Sequence, residues 1–335
     1  MSPAPMAEPS YPILVADIGG TNARFGLVRE ANALPTGVRT LPCADHPSLA
    51  AAMAAYLALA GDPRPPLGCI DVAGPVYPGR FQLTNRPQWN TEIEPVRRAF
   101  GFDMFAVIND FEALAEAVPL LAGDELIPIG GRLERDPEAP IAVIGPGTGL
   151  GVGAAVKTPF GWQALPGEGG HMEVGHPDPR CRAVIDLVAR KVERVSAERL
   201  LSGPGLELLH VALGETDGKP RDAHGAADIS ARAHEGDAAS ADTVRVFFDI
   251  LASFCGDVAL LMGAKGGVFV GGGVALSLRS LLDPARFRAA FERKGRLRSY
   301  MERIPTSLIA ADMAALRGCG ARIERLARQR REKHR

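Results

Sequence analysis

Asp110 follows the apolar run Phe105-Ala106-Val107-Ile108 and the polar Asn109, and it precedes an amphipathic stretch that reads as a helix from Phe111 to Leu121. A carboxylate at the end of a buried strand can cap the next helix, or it can take a proton from an attacking hydroxyl group; the spacing allows both. Gly167-Glu168-Gly169-Gly170-His171 sets an acid and an imidazole three residues apart on a glycine-rich backbone. Carboxylates accept hydrogen bonds from hydroxyl groups, and histidine donates or accepts, so this segment suits a hydroxyl-rich ligand. Glu198, in Val195-Ser196-Ala197-Glu198-Arg199, belongs with that pair by chemistry, although it also reads as a solvated helix residue or as part of a capping pattern begun by Ser196.

Three glycine loops carry a second kind of chemistry. Gly19-Gly20-Thr21-Asn22, Gly147-Thr148-Gly149 and Gly271-Gly272-Gly273 each follow an apolar strand: Ile13-Leu14-Val15-Ala16, Ile141-Ala142-Val143-Ile144 and Val268-Phe269-Val270. Without Cβ atoms, successive backbone N–H groups can converge on phosphate oxygens, and a strand's carboxyl end is where α/β proteins bind ligands. Any one of the three also reads as a plain tight turn; their recurrence at strand ends favours a nucleotide. Asp17 stands at the first loop, where a carboxylate can reach a magnesium ion beside the phosphates or can simply form the turn. Neither common nucleotide fingerprint fits. Gly-x-x-x-x-Gly-Lys-Ser/Thr does not occur, and the alternation after Gly151 continues as a strand where a dinucleotide fold needs a helix.

These loops must be positioned by alternating strands and helices. Segments 13–16 and 23–28 form a hairpin, as do 141–144 and the alternating Val152, Ala154 and Val156, which suggests a duplicated α/β plan. Ser48 predicts a helix N-cap, Ala60 its last turn and Gly61 its C-terminal glycine. Cys69-Ile70-Asp71-Val72-Ala73 is a strand, Asp242 to Met262 a long buried helix, and a last helix starts near Gly318 and runs into the basic sequence ARQRREKHR, read as a solvated helix end. With 335 residues the chain exceeds what one hydrophobic core usually holds, so two domains are expected. A 46% hydrophobic, 23% charged composition with net charge −1 gives a globular chain with no electrostatic footprint for nucleic acid or a membrane surface. Five scattered cysteines without a CxxC pair exclude a disulfide framework and suit a reducing compartment, and the first residues lack the pattern of a signal peptide; a cytoplasmic location follows as the expectation.

The segments ADIGGTNARFGL, VINDFEALAEAVP, IAVIGPGTGLGVG, LPGEGGHMEVG, VSAERLLSGPGL, GGVFVGGGV and FRAAFERKGR, in this order, resemble the bacterial glucokinases of the hexokinase type. The resemblance spans Ile13 to Leu326. It implies the two-domain actin-like ATPase (ribonuclease H-like) fold, with mixed sheets flanked by helices and an interdomain cleft. The expected partition is 11–120 plus 312–330 as a small domain and 121–311 as a large one, with 1–10 and 331–335 disordered. By resemblance Asp110 is the catalytic base for the sugar 6-hydroxyl, and Asn109, Glu168, His171 and Glu198 hold the other hydroxyls. Gly19, Gly20, Thr21 and Asn22 form the first phosphate loop, Gly147, Thr148 and Gly149 the second, and Gly271, Gly272 and Gly273 the adenosine motif. Asp17 is the acid associated with Mg2+. ATP and glucose are the implied ligands and a homodimer the implied assembly.

A departure accompanies the resemblance. Related kinases and repressors of the ROK type carry a Cys-rich zinc motif after the histidine, whereas the segment after His171 here holds only Cys181, so that zinc site is expected to be absent; His171, Glu173 and His176 remain as an alternative set of metal ligands. Kinases for mannose, fructose or an N-acetylated hexosamine would show the same ATP motifs. A sugar-sensing repressor would need a helix-turn-helix, for which the first strand near Ile13 leaves no room, and a filament-forming or chaperone-like ATPase would not need the GEGGH segment.

Overall fold

The computed structural model describes residues 9–61, 64–83, 86–131 and 133–333. The chain divides into two compact units, one made of the residues up to Leu121 with Ala155–Pro166 and the chain from Ala311, the other of Ala122–Ala154 and Gly167–Ala310.

The first unit is built on a five-stranded sheet in the order Thr36–Pro42, Asn22–Val28, Ile13–Ile18, Leu67–Val72, Met104–Asn109. The first two pairings are antiparallel and the last two parallel. Strand Ile13–Ile18 is central, which explains its unbroken apolar run. On one face the core gathers Phe25, Tyr56, Trp89 and Phe102 around helix Leu49–Ala60. That helix has the predicted ends: the Ser48 side chain accepts from Ala51 N, and Gly61 is left-handed at φ 62°. On the other face helices Asp110–Ala117 and Ala314–Lys333 pack together, with Leu316, Cys319 and Ile323 against Ile13, Val15 and Cys69.

In the second unit, strands Ile141–Pro146, Val268–Val270 and Thr306–Ile309 run parallel, with Leu126–Pro128 antiparallel at one edge and Leu150–Thr158 next to Ile141–Pro146 on the other side. Helix Ala238–Met262 is buried along most of its length. Asp249, an acid within its apolar run, is held by Arg286 through two 2.6 Å bonds, the pairing that lets a charge enter a core.

The structure departs from the sequence reading in three places. Ala155–Pro166 joins the first unit, because Leu150–Thr158 overhangs its neighbour and continues into Gly161–Leu165, which packs on the Asp110–Ala117 and Ala314–Lys333 helices. Residues 331–333 are helical, whereas 1–8 and 334–335 of the segments expected to be disordered lie outside the described residues. The basic helix end is also not simply solvated. Arg328 donates to Phe160 O, and Arg330 donates to Asp103 O. No helix among the described residues is long and apolar enough to cross a membrane.

Candidate active site

In the first unit, parallel pairing aligns the ends of three strands: Asp17 lies opposite Asp71, and Val72 opposite Asn109. Three carboxyl groups, Asp17, Asp71 and Asp110, therefore occupy one sheet edge. Burial raises the proton affinity of all three. It pushes Asp17 above the usual carboxylate range against the pull of Asp71 and Arg24, and pushes Asp110 to about 6, helped by the Asp17 charge. Asp71 is fully buried; it is raised furthest by desolvation, and the charges of Asp17 and Asp110 add to the rise. One of its oxygens accepts from Cys319 Sγ at 3.3 Å and the other has no partner. The sequence reading assigned Asp71 only to a strand; its signal was an acid inside the apolar run Cys69–Ala73, facing no basic residue by spacing.

Capping and catalysis, both open at Asp110 from sequence, separate in the structure. Asn109 is the N-cap of helix Asp110–Ala117: its Oδ1 accepts from Phe111 N at 2.9 Å, and Glu112 reaches back to Asn109 N in a capping box. Asn109 Nδ2 also donates to Gly74 O. Asp110 is then the first helical residue, and its half-buried carboxylate accepts from the neighbouring Phe111 N–H at 3.0 Å. The helix is clamped from its far end. The buried Glu116 carboxylate accepts from Arg322 Nη1 at 2.8 Å, Arg325 Nη2 at 2.9 Å and Ala164 N at 3.2 Å. No short-range pattern announces this clamp, since its members are separated by more than two hundred residues.

The first glycine turn joins the two antiparallel strands of the unit, with Gly19 N donating to Asn22 O at 2.9 Å. Thr21 and Asn22 are exposed, and Thr21 O accepts from Cys43 N. Arg86, absent from the sequence-based site, braces the turn by donating to Gly20 O and Cys43 O, both at 3.0 Å.

In the second unit the two remaining glycine loops sit side by side, because Ile144 pairs with Val270 on adjacent parallel strands. Gly271 N donates to Ile144 O, and Gly272, at φ 85°, passes so close to Pro146 O that a Cβ would clash. The Gly147–Gly149 turn closes on itself at 2.8 Å, and Gly203 N donates to Gly147 O, also at 2.8 Å. Beside it lies a cavity of about 580 Å³, lined by Thr148, His171, Ser196, Glu198 and Arg199 among others. The volume is within the usual range for a small-molecule site. His171 and Glu198 are thus brought to one cavity with a glycine loop. Glu198 Oε2 accepts from Leu150 N at 2.9 Å. Glu168 and His171 bracket a short 3-10 turn, Gly169–His171, with both side chains exposed. His176 is buried with both ring nitrogens engaged, one against Asp249 O and one accepting from Asp178 N, and burial pushes its pKa down. It is a structural residue, and with Glu173 exposed, neither supplies the metal site considered from sequence. Among the described residues no three His, Cys, Asp or Glu side chains are grouped to hold a metal ion.

A glycine hairpin beside strand-end acids in one unit, and two glycine loops on paired parallel strands in the other, accord with the actin-like ATPase fold. The glucokinase family profile matches residues 14–326, and the chain belongs to that family. The bifunctional protein glk of Burkholderia lata is 43% identical over 311 residues, covering 92% of this chain and 48% of that protein, so the chain spans about half the length of such relatives. The glucokinase of Aromatoleum aromaticum is 42% identical over 320 residues, covering 94% of this chain and 95% of its own. Among solved structures, a glucokinase from an Antarctic psychrotroph superposes with TM-score 0.87 at 36% identity, covering 93% of this chain and 98% of the other.

Proposed function

We propose that the chain transfers the γ-phosphoryl group of ATP to the 6-hydroxyl of glucose, giving glucose 6-phosphate and ADP. The observation that carries the reading is Asp110: a desolvated carboxylate at a strand end, relieved of capping by Asn109, with its pKa raised to about 6. A base of that strength is ionised at neutral pH, yet it accepts a proton more readily than a solvated carboxylate. In-line phosphoryl transfer asks the protein mainly for positioning and charge neutralisation. Asp110 takes the hydroxyl proton as the oxygen attacks phosphorus. Asn109, Glu168, His171 and Glu198 orient the ring hydroxyls. Gly19–Asn22 and Gly147–Gly149 present N–H groups to the phosphates, and Gly271–Gly273 receive the adenosine. Family membership supports the kinase reading as a whole, and the individual residue roles rest on the motif resemblance.

Mg2+ fits Asp17. This is a hard oxygen donor whose proton affinity is raised by burial, so a dication would relieve it more than it would a solvated acid. Bound with ATP, Mg2+ supplies neutralisation of the phosphate charge, and Asp17 would hold it together with the phosphate oxygens. The free, buried state of all five cysteines supports a cytoplasmic setting. A homodimer is proposed on family grounds alone.

The test is ADP release measured with glucose, mannose, fructose and N-acetylglucosamine, and without sugar. Glucose should give the highest kcat/KM, with little release in its absence. A preference for another hexose would move the substrate assignment, and brisk release without sugar would overturn the kinase reading.

A further inference from the structure

Glu198 stands in two places at once. It lines the cavity that also contains His171, and its Oε2 accepts from Leu150 N at 2.9 Å, the first residue after the Gly147–Gly149 loop. The same oxygen lies 2.5 Å from the position a Cβ would take on Gly149. A glycine is therefore required at the loop's last position because a carboxylate occupies the space beside it. The loop's other end is tied to the Ser202-capped helix Gly203–Thr216 through Gly203 N and Gly147 O at 2.8 Å. Glu198 itself is fixed by the short helix Ala197–Leu200, capped by Ser196, and its carbonyl accepts from Ser202 Oγ at 2.8 Å. The carboxylate is thus a rigid strut between the sugar-facing cavity and the end of a phosphate-facing loop.

We propose that Glu198 is a positioning residue for the second glycine loop as well as a sugar ligand, and that it transmits sugar occupancy to nucleotide affinity within this unit. The proposal rests on the kinase reading for the identity of the two ligands. A sugar hydroxyl that bonds to the carboxylate competes with or polarises its bond to Leu150 N, and the loop responds.

The experiment is calorimetric binding of Mg-ADP, with and without saturating glucose, and of glucose alone, to the wild-type chain and to Glu198→Gln, Glu198→Ala and Gly149→Ala. The glutamine amide oxygen can still accept from Leu150 N. Without glucose, Glu198→Gln should bind Mg-ADP like wild type, while Glu198→Ala should be weaker by ~tenfold, the loss expected when one backbone N–H is left without its acceptor. Gly149→Ala should weaken glucose binding although Gly149 belongs to the nucleotide loop, because its Cβ displaces the carboxylate. Glucose should shift Mg-ADP affinity in wild type and not in Glu198→Ala. Unchanged Mg-ADP affinity in Glu198→Ala overturns the proposal, and so does an equal loss in the glutamine and alanine variants, which would assign the effect to charge alone. If wild type fails to bind glucose while the Mg-ADP series behaves as stated, the substrate reading fails and the strut survives.

Discussion

The sheet edges of the two units carry their polar groups in opposite ways. In the first unit Asp17, Asp71 and Asp110 are desolvated, close in register and raised in pKa, and Cys319 Sγ donates to Asp71. In the second unit Glu168 and His171 are exposed, and Glu198 accepts a hydrogen bond from the backbone N–H of Leu150. On the proposed function, the difference separates reactivity from recognition. A base must be destabilised in its charged form to be useful, which requires burial and like charge. Groups that read hydroxyls need only be held and accessible. The first edge therefore stores an energetic cost, and the second stores geometry.

Removing the cost should remove the chemistry. Asp110→Asn keeps the bond to Phe111 N and loses the base, so kcat should fall ~10²–10⁴-fold with a smaller change in glucose KM; steady-state ADP release checks this. Next in size is the clamp. Arg325→Ala leaves the buried Glu116 with one fewer cation, and a broken buried pair costs about 3–5 kcal/mol, read as a lower midpoint in urea unfolding. On the recognition side, Glu168→Ala should lower kcat/KM for glucose ~10–100-fold, and wild type should favour glucose over 2-deoxyglucose; equal values for the two sugars would remove hydroxyl reading from the account.

A smaller effect sharpens the contrast most. Burial raises the Asp110 pKa from the ordinary 3.8 to about 6, so the folded state binds the proton more tightly. Its contribution to stability is greatest below pH 4, declines as pH rises toward 6, and is a full penalty above that. Asp110→Asn should therefore raise the melting temperature at pH 7.5, by an amount on the order of 1–3 kcal/mol in stability, and the gain should vanish near pH 4. A variant that is inactive yet more stable would mark the first edge as a site of stored cost. Glu168→Ala should show no such gain.

Much of this was legible in the sequence because the signals are local. The Ser48 cap, the Gly61 terminus and the three strand-ended glycine loops each lie within a dozen residues, and short-range sterics decide them. Asn109, Asp110, Glu168, His171 and Glu198 are singled out as candidates by residue type together with the family resemblance. What escaped depends on register and on long sequence separation. Asp71 meets Asp17 only because two strands pair in parallel, and Glu116 meets Arg322 and Arg325 only when the last helix returns to the first unit. Arg86 finds Gly20 across 66 residues of chain. The passage of Ala155–Pro166 into the first unit likewise follows from the overhang of one long strand, which no turn signal marks.

The most direct test of the central claim is the pH dependence of kcat/KM for glucose in the wild-type chain between pH 5 and 8, with folding monitored at each point. A desolvated Asp110 acting as base predicts a plateau above pH 7 and a one-proton decline centred near 6. A profile that stays flat down to pH 5 in folded protein would contradict it.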